Sequence, residues 1–275
     1  PAGMRATREP LQFGAEIYGH AGLEADLEVQ DLALDCLGAA GLRDLALDLG
    51  DARIVKGVLE GAELGADRLE AIVAALAAKD TAALSRAAAP LDAPRRDALR
   101  ALLALYGDQE VLLAARRVLP ARASIEAALA DLGRLAAHAQ AAHPGVRVSF
   151  DLADLSGYAY YSGARFAVYS AGSSDALARG GRYDEVGSVF GRKRPAVGFS
   201  LDLKEVAPLA PALPRGAAIR APWGEDSSLR AAVRGLRERG ETVVCVLPGH
   251  EHEAEEYHCD RELVLERGAW NVRPL

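Results

Sequence analysis

The chain has 275 residues, of which 50% are hydrophobic, and it carries a formal net charge of −7 with a pI near 5.5. This length is enough for two domains, and the acidic balance disfavours nucleic acid as a partner because phosphate backbones are bound by basic surfaces. No apolar run of the sequence is long enough to span a membrane, and three cysteines at unrelated spacings favour a reducing compartment over a disulfide framework. We therefore expect a cytoplasmic protein with no membrane partner.

The first segment, residues 1–52, is predicted to begin a larger core. The stretch at residues 8–20 alternates in polarity with a period of two, which predicts a β-strand. A helix is expected over 22–42, where leucines recur near helical spacing, and the stretch "LRDLALDLGD" predicts a second strand. The segment would thus supply two strands and a helix to the core.

The polar face of the first predicted strand carries Gln12, Gly14 and Glu16, opposite an apolar face. A glycine between an amide and a carboxylate leaves space over the backbone, and the Cα atoms of Gln12 and Glu16 would be ~13 Å apart. A small ligand that carries a cation or a hydrogen-bond donor would fit this face. The alternative is a solvated polar face, which is common in half-exposed antiparallel strands.

Three further segments follow. Residues 53–142, rich in Ala and Leu and punctuated by prolines, predict an all-helical insertion of four or five helices. Residues 143–210 predict a second part of the core, with strands in "VRVSFDLADL", "YAYYSGARFAVYSAG" and "PAVGFSLDL" and a turn at Ser162 and Gly163. After the proline-rich linker "VAPLAPALPRG", residues 211–275 predict a small α/β domain with a strand, a helix and a strand, then two short apolar runs.

Two groups in the second part of the core are candidate binding residues. Tyr160 and Tyr161 are adjacent, and on a strand their side chains would point to opposite faces, one into the core and one toward a pocket. Gly180 and Gly181 precede Arg182, and we expect a turn there that exposes an arginine suited to carboxylate or phosphate recognition. Plain aromatic packing is the alternative for the tyrosines. The glycine spacing fits neither the dinucleotide nor the P-loop pattern.

Near the C-terminus, "GHEHEAEEYHC" contains side chains that can bind metals: His250, His252, His258 and Cys259. Their spacing matches no C-x-x-C or H-E-x-x-H pattern, and the segment has the composition of an acidic surface loop. We therefore predict no metal site and no cofactor. No nucleophile with a recognisable catalytic context is apparent in the sequence either.

Taken in order, "QFGAE", a helical insertion, "YAYYSG", "GGRYDE" and "AVGFS" resemble the catalytic core of histidyl-tRNA synthetases. The resemblance implies an α+β fold: a class II synthetase-like antiparallel sheet with flanking helices. It implies that Gln12 and Glu16 hold histidine and that Tyr160 and Tyr161 line the imidazole pocket. It assigns Arg182 to the same site.

The same resemblance gives Gly14, Gly180 and Gly181 the role of shaping the pocket. It also places the dimer-forming first motif upstream of Pro1, so we expect the N-terminal portion of the core to be absent from this chain.

Two departures distinguish this sequence from active synthetases. Where the family has R-G-L-D-Y-Y, this chain has "SGYAYY", with Ser156 in place of the arginine that assists amino-acid activation. Where the family ends its third motif with an arginine that stacks on ATP, "GFSLDLKE" places Asp202 at a glycine and Glu205 at that arginine. A carboxylate facing a triphosphate is repulsive, so no catalytic residue is predicted. The neighbouring Lys204 would point elsewhere.

With those losses, the sequence resembles the regulatory subunits of ATP phosphoribosyltransferase, the first enzyme of histidine biosynthesis. That resemblance implies a non-catalytic subunit required for activity of a short catalytic subunit, self-association into a dimer, and histidine as effector of feedback inhibition. Two alternatives remain at this stage: a divergent active histidyl-tRNA synthetase, and a stand-alone histidine-binding paralogue.

Overall fold

The structure is a computed structural model, and it divides the chain into two units, Pro1–Pro211 and Ala212–Leu275. Within the described residues, no helix is both long and apolar enough to cross a membrane. The residues described are 9–155, 157–158, 160–173, 175–185, 194–212, 216–250 and 257–275.

The larger unit is built on a seven-stranded sheet, which confirms the fold predicted from the motifs. Its strands lie in the order β1-β7-β6-β5-β2-β4-β3, and every neighbouring pair is antiparallel except β2 and β4. The strand bounds are β1 Gln12–Tyr18, β2 Ala46–Asp51, β3 Tyr106–Gly107, β4 Arg147–Asp151, β5 Ala164–Tyr169, β6 Ala178–Arg182 and β7 Ala196–Asp202.

The helices of the larger unit fall mostly between β2 and β4, where the insertion was predicted. They are α1 Leu23–Ala39, α2 Ala52–Leu59, α3 Ala66–Ala77, α4 Thr81–Ala87, α5 Ala93–Leu102, α6 Glu110–Val118, α7 Ala123–Ala142 and α8 Leu203–Val206. Asp51, Asp80 and Asp92 accept backbone N–H bonds at the starts of α2, α4 and α5, as N-cap carboxylates do.

One face of the sheet is covered by helices α1 and α7. Leucines at helical spacing on both helices are fully buried there, and they contact the alternate, apolar residues of the strands. Because α7 packs on the sheet as well as on α2, it belongs to the core layer as much as to the insertion. The insertion was predicted to run from residue 53 to residue 142, and α7 belongs to both layers. The insertion boundaries at 52/53 and 142/143 therefore stay predictions.

Two local predictions in the second part of the core are wrong. The residues before β5 form turns rather than a strand, so Tyr160 and Tyr161 do not lie on a strand. Conversely, Gly180 and Gly181 lie inside β6, where a turn was expected. Glycines are normally poor strand formers, but here the backbones of neighbouring strands approach too closely for a side chain.

The smaller unit has the strand–helix–strand order that the sequence predicts, followed by a hairpin. Its sheet order is β11-β10-β8-β9, with β8 parallel to both of its neighbours, and a separate core forms between helix and sheet. The bounds are β8 Ala218–Pro222, α9 Ser227–Glu238, β9 Val243–Val246, β10 Cys259–Glu266 and β11 Ala269–Pro274.

Candidate functional site

The candidate site is the face of the seven-stranded sheet opposite α1 and α7. Cross-strand pairing places Glu16 of β1 beside Gly198 of β7, Gly198 beside Gly181 of β6, and Gly181 beside Arg165 of β5. Directly paired residues project from the same face of an antiparallel sheet. Two side-by-side glycines thus form a floor between a carboxylate and an arginine, and strands ~4.8 Å apart make that floor ~14 Å wide.

One end of the floor is a cluster of tyrosines around Glu16. The Tyr18 hydroxyl donates to the Glu16 carboxylate. The ring of Tyr160 stacks on that of Tyr183, with centroids 4.7 Å apart and planes 28° from parallel. A Cβ at Gly198 would lie 2.8 Å from Cγ of Glu16 and 3.0 Å from the Tyr183 hydroxyl, so only glycine lets these groups come together.

The tyrosines of this cluster remain protonated. Burial, followed by the nearby Glu16 carboxylate, raises the pKa of Tyr183 and of Tyr160. The hydrogen bond to Glu16 raises the pKa of Tyr18. The Tyr183 hydroxyl is buried close to the Glu16 carboxylate and the Tyr18 hydroxyl, but within the described residues it makes no hydrogen bond of acceptable geometry. A buried hydroxyl without an aligned partner is costly, and a ligand atom that bonded to it would remove that cost.

The turn before β5 presents the paired tyrosines. Tyr160 and Tyr161 both donate backbone N–H groups to the carbonyl of Gly157, whose φ of +73° favours glycine. The Lys56 ammonium donates to the Tyr161 carbonyl at 2.8 Å and fixes the turn to α2. The two rings meet edge to face at 5.3 Å. The two rings therefore lie against each other in a turn, and the predicted projection to opposite faces of a strand is wrong.

Gln12 and Gly14 lie on the same face of β1 as Glu16, at its far end. Gln12 is exposed and pairs with Asp202 in the β1–β7 ladder. The missing side chain of Gly14 makes room for the Phe199 carbonyl of β7, because a Cβ would collide with it. Gly14 therefore permits close strand pairing; its backbone is exposed, and its predicted pocket-shaping role stays a prediction.

Arg182 is bound on the opposite, helix-covered face. Its Nε and Nη2 groups donate to the Asp26 carboxylate of α1, and the remaining donors reach the carbonyls of His20 and Gly22 and the carboxylate of Asp184. Burial opposes the guanidinium charge, but the Asp26 carboxylate outweighs it and raises the pKa of Arg182. With its donors engaged in this way, Arg182 ties α1 to β6, and the geometry does not favour it as a histidine ligand.

The two glycines of β6 also separate by face. Gly180 faces the core, where a Cβ would lie 2.7 Å from Cε1 of Phe166, so its role is packing and not pocket shaping. Gly181 has a φ of +155° and faces the site, where a Cβ would lie 2.6 Å from the Ala164 carbonyl oxygen. Only Gly181 fits the predicted pocket-shaping role.

The other end of the floor is an arginine that sequence reasoning missed. Arg165 is 5% exposed, lies over Gly50, and donates from Nε to the Asp154 carbonyl at 3.0 Å, with Nη2 beside the Asp154 carboxylate. Beyond it, the Ser149 hydroxyl donates to Asp48 at 2.7 Å, and burial raises the pKa of Asp48. The floor thus continues into a polar wall.

Tyr183 was also missed as a site residue, although it lies in the quoted "GGRYDE" segment. Alternation along a strand would have placed Arg182 and Tyr183 on opposite faces, but the expectation of a turn removed that argument. No signal marked Gly198 or Arg165, because both depend on the pairing of distant strands.

The residues that depart from the synthetase pattern lie at the start of α8. The Asp202 side chain accepts the Leu11 N–H at 3.2 Å and the Lys204 N–H at 2.9 Å, so it caps the helix. The Lys204 ammonium donates to the Glu9 carbonyl. Ser156, the other departure, lies outside the described residues.

The C-terminal histidines and Cys259 are the side chains that the sequence marked as able to bind metals. Among the described residues, no group of three or more His, Cys, Asp or Glu side chains could hold a metal ion. His252 of the C-terminal segment lies outside those residues. What the site offers instead is a carboxylate with neutral tyrosine hydroxyls, a combination that recognises a small ring bearing N–H groups.

Comparison with known proteins places both units in described families. Residues 1–206 match the family model for histidyl-tRNA synthetase, and residues 216–273 match that for the ATP phosphoribosyltransferase subunit HisZ C-terminal domain. The chain is 58% identical to the ATP phosphoribosyltransferase regulatory subunit of Variovorax paradoxus and 54% identical to that of Burkholderia multivorans. Both alignments cover 100% of this chain and 71% of the relative.

Solved structures agree on the fold. An ATP phosphoribosyltransferase regulatory subunit/histidyl-tRNA synthetase from Bacillus halodurans matches with a TM-score of 0.75 at 24% identity, over 90% of this chain and 66% of that one. The ATP phosphoribosyl transferase (HisG:HisZ) complex from Thermotoga maritima matches with a TM-score of 0.55 at 20% identity, over 70% and 66%. The fold, both family models and the close relatives together show that this chain belongs to the ATP phosphoribosyltransferase regulatory subunit family.

Proposed function

We propose that this chain senses histidine on the glycine floor and assembles with the short catalytic subunit of ATP phosphoribosyltransferase. As a member of this family it is a regulatory, non-catalytic subunit of a histidine-biosynthetic enzyme. A divergent active synthetase is not favoured, because relatives 54–58% identical over the whole chain are named as regulatory subunits.

The observation that supports histidine binding is the convergence of Glu16, Tyr160 and Tyr183 around Gly198. An imidazole seated there would donate an N–H to the Glu16 carboxylate and accept a bond from the Tyr183 hydroxyl, which otherwise has no partner among the described residues. Tyr160 would contact the ring. Gln12 and Tyr161 remain predicted ligands on the flanks of this cluster.

Regulation requires that histidine bind two states of the complex with different affinity. One solved structure with a similar fold is that of the ATP phosphoribosyl transferase (HisG:HisZ) complex from Thermotoga maritima. By analogy, we infer that this chain binds the catalytic subunit and itself as a dimer, and that the complex is cytoplasmic. Histidine would then be the effector that favours one quaternary arrangement.

Calorimetric titration of histidine into the complex with the catalytic subunit tests the proposed pocket. Glu16→Gln should weaken histidine binding at least about tenfold, because a charge-assisted hydrogen bond contributes about 1.5–3 kcal/mol. Glu70→Gln, which alters an exposed carboxylate on α3, is the matched control and should leave the affinity unchanged. Unchanged affinity in Glu16→Gln would remove the pocket from the proposal.

A second assay concerns the absence of synthetase chemistry. We expect no pyrophosphate exchange dependent on histidine and ATP, because Glu205 occupies the position of the family's ATP-stacking arginine. Robust exchange would overturn the non-catalytic assignment even if histidine binds as proposed.

A further inference from the structure

The smaller unit contains a cavity of about 560 Å³ that the histidine site does not involve. It lies between α9 and the ends of β8 and β9, where Pro222 and Cys245 form part of its lining. These two strands are parallel, and in open α/β sheets ligands bind beyond the carboxyl ends of parallel strands. The volume falls in the range of small-molecule sites.

Three arginines of α9 line this cavity. Arg230, Arg234 and Arg237 are four and three residues apart, so they share one face of the helix. Arg230 donates from Nε to the Gly224 carbonyl at 3.1 Å, and Arg237 donates from Nη2 to the Val243 carbonyl at 3.0 Å. Each of these bonds uses a single nitrogen of a five-donor side chain, which leaves the other donors available.

Three other arginines of the same unit are paired with carboxylates. Arg220 pairs with Glu262 at 2.8 Å, Arg261 with Glu241 at 3.0 Å, and Arg273 with Glu262 at 2.7 Å. None of the three α9 arginines has a carboxylate within ion-pair distance among the residues that the structure describes. Glu238 is the one acidic residue of the described lining, so the cavity is positively charged within an acidic chain.

An aromatic ring completes the lining. Trp223 follows β8, is 46% exposed, and has the Arg230 guanidinium 4.9 Å from its ring centroid. This contact holds Arg230 in place without consuming its Nη donors. Guanidinium groups beside an exposed tryptophan provide phosphate binding together with a stacking surface, the two contacts that a nucleotide requires.

We propose that this cavity binds a nucleoside phosphate, with the phosphates on Arg234 and Arg237 and the base against Trp223. The proposal is independent of histidine binding, since it concerns the smaller unit alone. The regulatory subunit would then have two ligands: an imidazole bound by the Glu16 carboxylate, and an anionic phosphate bound by arginines of α9.

Tryptophan fluorescence tests the proposal on the 275-residue chain. The chain has two tryptophans, so Trp270→Phe leaves Trp223 as the only reporter. ATP should quench its emission saturably, and Arg234→Gln should raise the apparent Kd at least about tenfold. Arg239→Gln alters an exposed arginine near the end of the same helix, outside the cavity lining, and should change the Kd less than about twofold.

Tripolyphosphate and adenosine separate the two halves of the ligand, and both should bind more weakly than ATP. Equal affinity for tripolyphosphate would overturn base recognition, and equal affinity for adenosine would overturn phosphate recognition. An ATP affinity that Arg234→Gln leaves unchanged would overturn the site itself. If Trp270→Phe fails to fold, calorimetry comparing the unmodified chain with Arg234→Gln makes the same distinction.

Discussion

The two faces of the seven-stranded sheet use neighbouring residues for opposite purposes. On the helix-covered face, Arg182 is buried and its donors are engaged by Asp26 and by backbone carbonyls. On the other face, the next residue, Tyr183, has a buried hydroxyl without a hydrogen-bond partner in the described part of the chain. The Arg182 guanidinium, whose donors are all bonded, stabilises the fold. The Tyr183 hydroxyl has no aligned partner among the described residues, and we propose that it bonds a ligand.

The largest expected effect is on the helix-covered face. Arg182→Ala leaves Asp26 as an uncompensated buried carboxylate and should lower the free energy of unfolding by about 3–5 kcal/mol. Urea denaturation measures it. Arg100→Ala, which removes an exposed i,i+3 pair with Asp97, should cost less than about 1 kcal/mol. If Arg182→Ala were as stable as the parent and lost histidine binding instead, Arg182 would be a ligand after all.

An intermediate effect is expected on the glycine floor. In Gly198→Ala the new methyl would meet Glu16, the Ala15 carbonyl and the Tyr183 hydroxyl at 2.8–3.0 Å. Overpacking of this kind costs about 1–3 kcal/mol, and we expect histidine binding to fall more than about tenfold in calorimetry. Gly38→Ala on α1, with no atom within 4 Å of its new Cβ, should bind normally and be stabilised by about 0.5–1 kcal/mol. Normal histidine affinity in Gly198→Ala would show that the floor is not the binding surface.

A smaller effect should follow from removing one hydroxyl. Tyr183→Phe deletes a group with no hydrogen bond to the described residues, so the free energy of unfolding should not fall. Histidine affinity should decrease about three- to tenfold, the usual contribution of one neutral hydrogen bond. A loss of stability with unchanged affinity would place Tyr183 with Arg182 as a structural residue.

The smallest effect concerns alkaline pH. Burial raises the pKa of Tyr158, Tyr161 and Tyr183 in the folded protein, so the unfolded chain loses these protons first. Their contribution to stability is fully present below the unfolded tyrosine pKa of about 10 and is lost as the pH rises above it. Chemical denaturation between pH 9 and pH 11 should show this decline, and Tyr183→Phe should make it shallower. An identical slope in the variant would contradict the assignment.

The motif order alone identified the fold, because residues such as Glu16 and the Tyr160–Tyr161 pair recur at fixed places in a known architecture. The strand–helix–strand order of the smaller unit also followed from local periodicity, whereas its final hairpin appeared in the sequence only as two short apolar runs. Local pattern failed at "GGRYDE", where glycines indicated a turn. In the structure these glycines lie in the central strand β6, where the neighbouring strands leave no room for a Cβ.

The sequence by itself determined the family, the alternation that puts Gln12 and Glu16 on one strand face, and the loss of the ATP-facing arginine at Glu205. Only the tertiary structure decided which of these groups meet. Gly198, Gly181 and Arg165 join Glu16 through pairing between strands separated by up to about 180 residues, and local periodicity carries no information about such registers. Arg182 and Tyr183 are adjacent in sequence, yet they lie on opposite faces of the sheet. Arg182 is the last residue of β6 and Tyr183 follows it directly, so the alternation of the strand separates their side chains.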